Sequence, residues 1–102
     1  MKRIDSLKGM LEKNQKDPFL YFALAKEYEK NNLIEEAQRY YLDLVVMFED
    51  YTGTYYHLAK LYIAKNDISA AIDTIKKGID ICTEKKDFHA KSELEFLLDD
   101  IE

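Results

Sequence analysis

The sequence predicts an all-α chain, an α-solenoid of two helix-turn-helix repeats flanked by one helix at each end. Three observations carry that expectation. The stretch YFALAKEYEKNNLIEEA, Tyr21–Ala37, returns thirty-four residues later as YYHLAKLYIAKNDISAA, Tyr55–Ala71, with eight of seventeen positions identical. Internal similarity at a fixed period of this length marks stacked-repeat architectures. Only three Gly and one Pro occur in 102 residues, which leaves little material for β-turns and much for helices. Apolar residues recur at spacings of three and four along most of the chain, the period of a helix with one face in a core.

The N-terminal helix spans residues 2–14, with Ile4, Leu7, Met10 and Leu11 as its apolar stripe. Gly9 weakens it by about 1 kcal/mol relative to Ala. Asp17 and Pro18 form a strong start signal for the next helix. The carboxylate can accept from free first-turn amides, and Pro at the first helical position gives up no hydrogen bond. This helix runs to about Lys30 with Tyr21, Leu24, Ala25 and Tyr28 facing the core. Asn31 and Asn32 make the turn, since Asn tolerates the left-handed backbone of a helix end.

The following helix covers roughly 34–50, opening with Glu35 and Glu36 where the helix dipole favours anions. Ile34, Ala37, Tyr41, Leu44, Val45 and Phe48 form its stripe. Tyr40, Val46 and Met47 add apolar surface to its other sides, as a helix sandwiched between neighbours requires. Thr52 or Asp50 is the expected cap for the fourth helix, 53–64. Lys65 and Asn66 turn the chain, and Asp67 caps a fifth helix from Ile68 to about Thr83. Ile68, Ala71, Ile72, Ile75, Ile79 and Cys82 keep its period, so Cys82 reads as a small buried apolar residue. The last helix starts near Asp87 and buries Ala90, Leu94, Leu97, Leu98 and Ile101. Phe88 and Phe96 lie partly off that stripe, and one of the two is expected at the surface.

These residues carry a resemblance to the tetratricopeptide repeat family, whose unit is a helix-turn-helix of this length. Each copy places an aromatic at its fourth position (Tyr21, Tyr55), Leu at the seventh (Leu24, Leu58) and a small residue at the eighth (Ala25, Ala59). Tyr follows at the eleventh (Tyr28, Tyr62) and Ala at the twentieth (Ala37, Ala71). The family's Pro at position thirty-two is replaced by Glu49 and Thr83, and its Ala at twenty-seven by Leu44 and Gly78. The resemblance divides one domain into an N-terminal half-repeat helix (1–17), repeat one (18–51), repeat two (52–85) and a C-terminal capping helix (86–102).

Charge and cysteine content bound the function. The net charge of −5 has no basic stripe, so the electrostatic footprint of a nucleic-acid binder is missing. No apolar run reaches the length of a membrane span, and the charged start MKRIDSLKGML lacks the apolar core of a signal peptide. One cysteine makes no internal disulfide, so a cytoplasmic setting is expected. His57 and His89 stand apart from any metal-ligand spacing, and no phosphate-binding glycine loop or nucleophile with a sequence-evident base is present. Asp99 and Asp100 point about 100° apart on a helix and make no catalytic dyad. No catalytic residue, metal or cofactor is expected.

A second stripe on the first helix of each repeat is the better lead. With Tyr21 at zero on a helical wheel, Phe22, Lys26 and Glu29 fall at about 80–140°, with Phe19 slightly beyond. Tyr56, Lys60 and Ile63 take the matching places in repeat two. The resemblance implies that this face lines a concave groove for a peptide or partner segment. Phe19, Phe22, Lys26, Tyr56, Lys60 and Ile63 are therefore the candidate binding residues, with the partner unidentified. The family's chaperone-tail carboxylate clamp is not expected, because its Lys, Asn and Asn positions hold Phe22, Lys26 and His57. The alternative is a structural subunit that associates with itself, as a homodimer, through apolar residues such as Tyr40, Met47, Phe88 and Phe96.

Overall fold

A computed structural model describes all 102 residues, as six α-helices without a strand. The chain forms two compact units, Met1–Phe48 and Glu49–Glu102. The first contains α1 (Lys2–Lys13), α2 (Pro18–Lys30) and α3 (Ile34–Met47). The second contains α4 (Gly53–Ala64), α5 (Ile68–Lys85) and α6 (Phe88–Ile101). None of these helices is long and apolar enough to cross a membrane.

In the first unit α2 packs against both α1 and α3. Ile4 and Leu7 of α1, Tyr21, Leu24, Ala25 and Tyr28 of α2, and Ala37, Tyr41 and Leu44 of α3 are buried. Asp17 caps α2, accepting from the Phe19 amide at 3.0 Å. Arg3 Nε reaches Glu27 Oε1 at 3.0 Å and ties the exposed side of α1 to α2. Three expectations are corrected here. Met10 is exposed, because the fully buried stripe of α1 is confined to Ile4 and Leu7 in its first two turns. The third helix stops at Met47, where Phe48 leaves the helical region with φ −139°. Val46 and Met47 are not sandwiched: Val46 is 83% exposed, and Phe48 turns instead onto the Tyr21 ring, 5.5 Å away.

In the second unit α5 packs against α4 and α6, and α4 also meets α6. Tyr55, Leu58, Ala59 and Leu61 of α4, Ala71, Ile75, Ile81 and Cys82 of α5, and Leu94 of α6 are buried. Asp67 caps α5 and Asp87 caps α6, each accepting from the amide three residues on at 3.2 Å. Thr52 does not cap α4. It lies in helical backbone, and its hydroxyl donates to Asp87 Oδ2 at 2.6 Å, joining the entry of α4 to the entry of α6. That bond, followed by the Ala90 amide, holds the Asp87 carboxyl below the usual carboxylate range. Phe88 and Phe96 are both exposed, because the α6 stripe that reaches the core centres on Leu94. Burial lifts the Cys82 thiol above its ordinary range, the opposite of what a reactive thiol needs.

The loops that close the hairpins share one solution. Leu33, Asp67 and Asp87 each donate a backbone amide to the carbonyl five residues earlier, at 2.8, 2.8 and 2.9 Å. The residue before each takes a positive φ: Asn32 at 61°, Asn66 at 63° and Lys86 at 59°. This pairing satisfies carbonyls that a helix end leaves open. Asn suits the left-handed region at the two repeated turns, which explains why it recurs there.

The repeated tyrosine at the fourth position also has a specific task. Tyr21 donates its hydroxyl to the Gln15 carbonyl at 3.1 Å, and Tyr55 donates to the Glu49 carbonyl at 2.7 Å. Each ring sits in the core while its hydroxyl pins the segment entering the helix. Burial, then the charges of Glu49 and Asp50, push the Tyr55 hydroxyl up to about 12. The folded chain thus keeps this proton to higher pH than the unfolded chain, whose tyrosines titrate near the ordinary value of about 10. The stabilisation is complete below that value and is lost as pH rises through 12. Denaturant titrations at pH 9 and pH 11 should show Tyr55 alone removing about 1 kcal/mol across that interval. Tyr55→Phe should flatten this part of the pH dependence; an identical slope in the variant would refute the assignment.

Candidate docking faces on α2 and α4

On α2, the period of the helix separates the buried side from the candidate face. Tyr21, Leu24, Ala25 and Tyr28 point inward, while Lys26 is exposed and Phe19 is 55% exposed. Phe22 lies between the two sides, half-buried, with its ring edge-on to Tyr41 of α3 at 6.1 Å. Tyr41 is fully buried, and its hydroxyl donates to Glu29 Oε1 on the exposed side of α2. Burial and then this hydrogen bond hold the phenol protonated well above its ordinary range. Phe22 is thereby backed by a rigid aromatic, and Glu29 has a fixed donor.

On α4, Tyr56 and Ile63 are half-buried and Lys60 is exposed. The Lys60 ammonium lies over the Tyr56 ring, 5.4 Å from its centroid, at cation–π distance. His57 meets the same ring edge-on at 5.5 Å between centroids. Tyr56 is therefore oriented from two sides before any partner arrives.

The structure brings Phe22 together with Tyr41 and Tyr56 together with Lys60. It also shows a neighbourhood that the sequence reading missed. Beside Tyr56, α6 contributes Glu93, Phe96, Leu97 and Asp100 to an open cleft of about 340 Å³. These four share one face of α6 at spacings of three, one and three, a signal present in the sequence. The helical period hides it, because it groups Leu97 with Leu94 on the core stripe and leaves the carboxylates apart from both.

Comparison with known proteins bears on these faces. Residues 52–85, which span α4 and α5, match the family model described as the tetratricopeptide repeat. The crystal structure of a tetratricopeptide repeat domain protein from Salinibacter ruber is 38% identical and superposes with a TM-score of 0.80, covering 83% of this chain and 94% of that one. A solution NMR structure of a tetratricopeptide repeat domain protein from Salinibacter ruber is also 38% identical, with a TM-score of 0.82 and coverage of 84% and 87%. A solution structure of a protein from Bordetella parapertussis shares the fold at 19% identity, with a TM-score of 0.81 over 96% of this chain and 85% of that one. No functionally curated protein matches the chain. Identity at this level over nearly the whole Salinibacter domain, together with the repeat match, means that the chain belongs to the tetratricopeptide repeat family, a family of protein–protein interaction modules.

Proposed function

We propose that the exposed faces of α2 and of α4 are each a docking face for a peptide or partner segment, through Phe19, Phe22 and Lys26 on the first and Tyr56, Lys60 and Ile63 on the second. The observation that carries this reading is the aromatic–lysine pair at i and i+4, present on both helices with the lysine exposed. An aromatic supplies a large rigid contact at little entropic cost, and its neighbouring ammonium can meet a carboxylate of the partner. Tyr56 and Phe22 each pack edge-on against a neighbouring ring, a contact that lowers the ordering cost of binding.

Lys26→Glu combined with Lys60→Glu reverses the charge at both pairs without touching a buried residue. Partners that the wild-type chain retains on an affinity column should be lost by the double variant while its circular dichroism is unchanged. Equal retention by a folded double variant would overturn the reading. A second reading, self-association, is favoured by the exposure of Phe88 and Phe96 on α6 and of Val46 on α3. Light scattering over a dilution series separates the two, because a persistent dimer of this 12.0 kDa chain would mean that an apolar face is already occupied.

A further inference from the structure

The cleft between α4 and α6 has a composition that the face of α4 alone does not. It is lined by two aromatic residues, Tyr56 and Phe96, by Leu97, and by two acidic residues, Glu93 and Asp100. Phe96 is 80% exposed, so its ring is available to a partner. Glu93 and Asp100 are separated by two helical turns, about 10 Å along α6, with Phe96 and Leu97 between them. None of the residues lining the cleft carries a positive charge. The Lys60 ammonium lies over the Tyr56 ring, and His89 Nε2 is 4.0 Å from Glu93 Oε1. Aromatic faces flanked by carboxylates attract a planar cation, which can stack on a ring and form paired hydrogen bonds to a carboxylate at once.

We propose that this cleft receives an arginine side chain of the bound partner segment, an inference that rests on the docking role of α4. Phe96 and Tyr56 stack the guanidinium and its methylene stem, and Glu93 or Asp100 pairs with its N–H groups. An ammonium fits less well, because it offers a point charge without a plane to stack. The two charge preferences are complementary. Lys60 selects an acidic contact on the exposed side of α4, and the α6 carboxylates select a basic one beside it, so the preferred segment carries both signs.

The test uses the full chain, labelled with nitrogen-15, and the tripeptide acetyl-Leu-Arg-Leu-amide as probe. Its counterpart with citrulline in place of arginine keeps the shape and removes the charge. Saturable amide shifts confined to residues around Tyr56 and Glu93–Asp100 are expected with the arginine peptide. Binding should be at least five-fold weaker for the citrulline peptide, and at least five-fold weaker again than wild type for Glu93→Gln with Asp100→Asn. Both substitutions lie on exposed positions and leave the core intact. Equal binding of the two peptides would overturn the arginine assignment while leaving a docking face in place. Absence of saturable shifts with either peptide would also overturn it. The Lys26 and Lys60 charge reversals test the docking reading through different residues, so failure of the arginine assignment is distinguishable from failure of the docking reading.

Discussion

Ending the chain after Lys86 is expected to abolish the cooperative unfolding of residues 49–86. Leu94 is fully buried, and its Cδ1 would lie 2.8 Å from a Cβ placed on Gly78, so α6 sits hard against α5. Ala90, Leu97, Leu98 and Ile101 add half-buried apolar surface around it. Removing them exposes the flank of α5 around Gly78 and Cys82 and strips Thr52 of its bond to Asp87. Helices of 12 and 18 residues owe most of their stability to packing rather than to propensity, so a bare α4–α5 hairpin is marginal. The repeat-protein argument agrees, since one hairpin cannot bury its apolar face without a neighbour. Amides of α4 and α5 should lose their protection from hydrogen exchange in the truncated chain. The milder Leu94→Ala should cost about 2–5 kcal/mol in the intact chain. A truncated chain that melted at the temperature of the intact one, with α4 and α5 still protected, would show that α6 is dispensable.

Much of this architecture is legible in the sequence, for local reasons. Asp17 and Asp67 announce their helices because a cap is a bond between neighbours. The bounds of α4 follow from the thirty-four-residue repeat and from the Lys65–Asn66 turn. Tyr21, Leu24, Ala25 and Tyr28, with Tyr55, Leu58 and Ala59 in α4, fall inward because repeat and period agree, while the fourth copy, Tyr62, is half-buried. What escaped has a non-local cause. Thr52 resembles a cap by type and position, but its hydroxyl bonds to Asp87, thirty-five residues away. The end of α3 is invisible because Val45, Val46, Met47 and Phe48 continue an apolar run through the point where the backbone turns. The cleft face of α6 was missed because a wheel sorts residues into one buried side and one solvated side. Helix α6 has a third, beside α4, on which Glu93, Phe96 and Asp100 meet Tyr56.

Substitution of Ala for Gly is expected to have opposite signs at two helical positions of this chain. Both Gly9 and Gly78 lie inside helices at negative φ, where Ala should gain up to about 1 kcal/mol from propensity. At Gly9 nothing lies within 4 Å of an added Cβ, so that gain should appear nearly in full. At Gly78 the added atom would meet Tyr55 Cβ at 2.6 Å and Tyr55 Cγ at 2.8 Å. These atoms belong to the stem of a ring that is buried on α4 and fixed at its far end by the hydroxyl bond to Glu49. Tyr55 cannot swing aside as an exposed side chain could, and Leu94 closes the other side. Relief requires α4 to move away from α5, and overpacking of this kind costs about 1–3 kcal/mol. The cost exceeds the propensity gain, so Gly78→Ala should destabilise the chain where Gly9→Ala stabilises it. Gly78→Val should be worse again, since its branch adds volume at the same contact. Denaturant midpoints for the three variants provide the measurement. A Gly78→Ala midpoint at or above that of Gly9→Ala would mean that α4 and α5 approach less closely than the 2.6 Å contact requires. The close approach gives a physical reason for the departure from the family pattern at this position. Repeat one carries Leu44 there, but in repeat two α5 must admit the stem of Tyr55 and the side chain of Leu94 at once, and only a residue without a side chain leaves room for both.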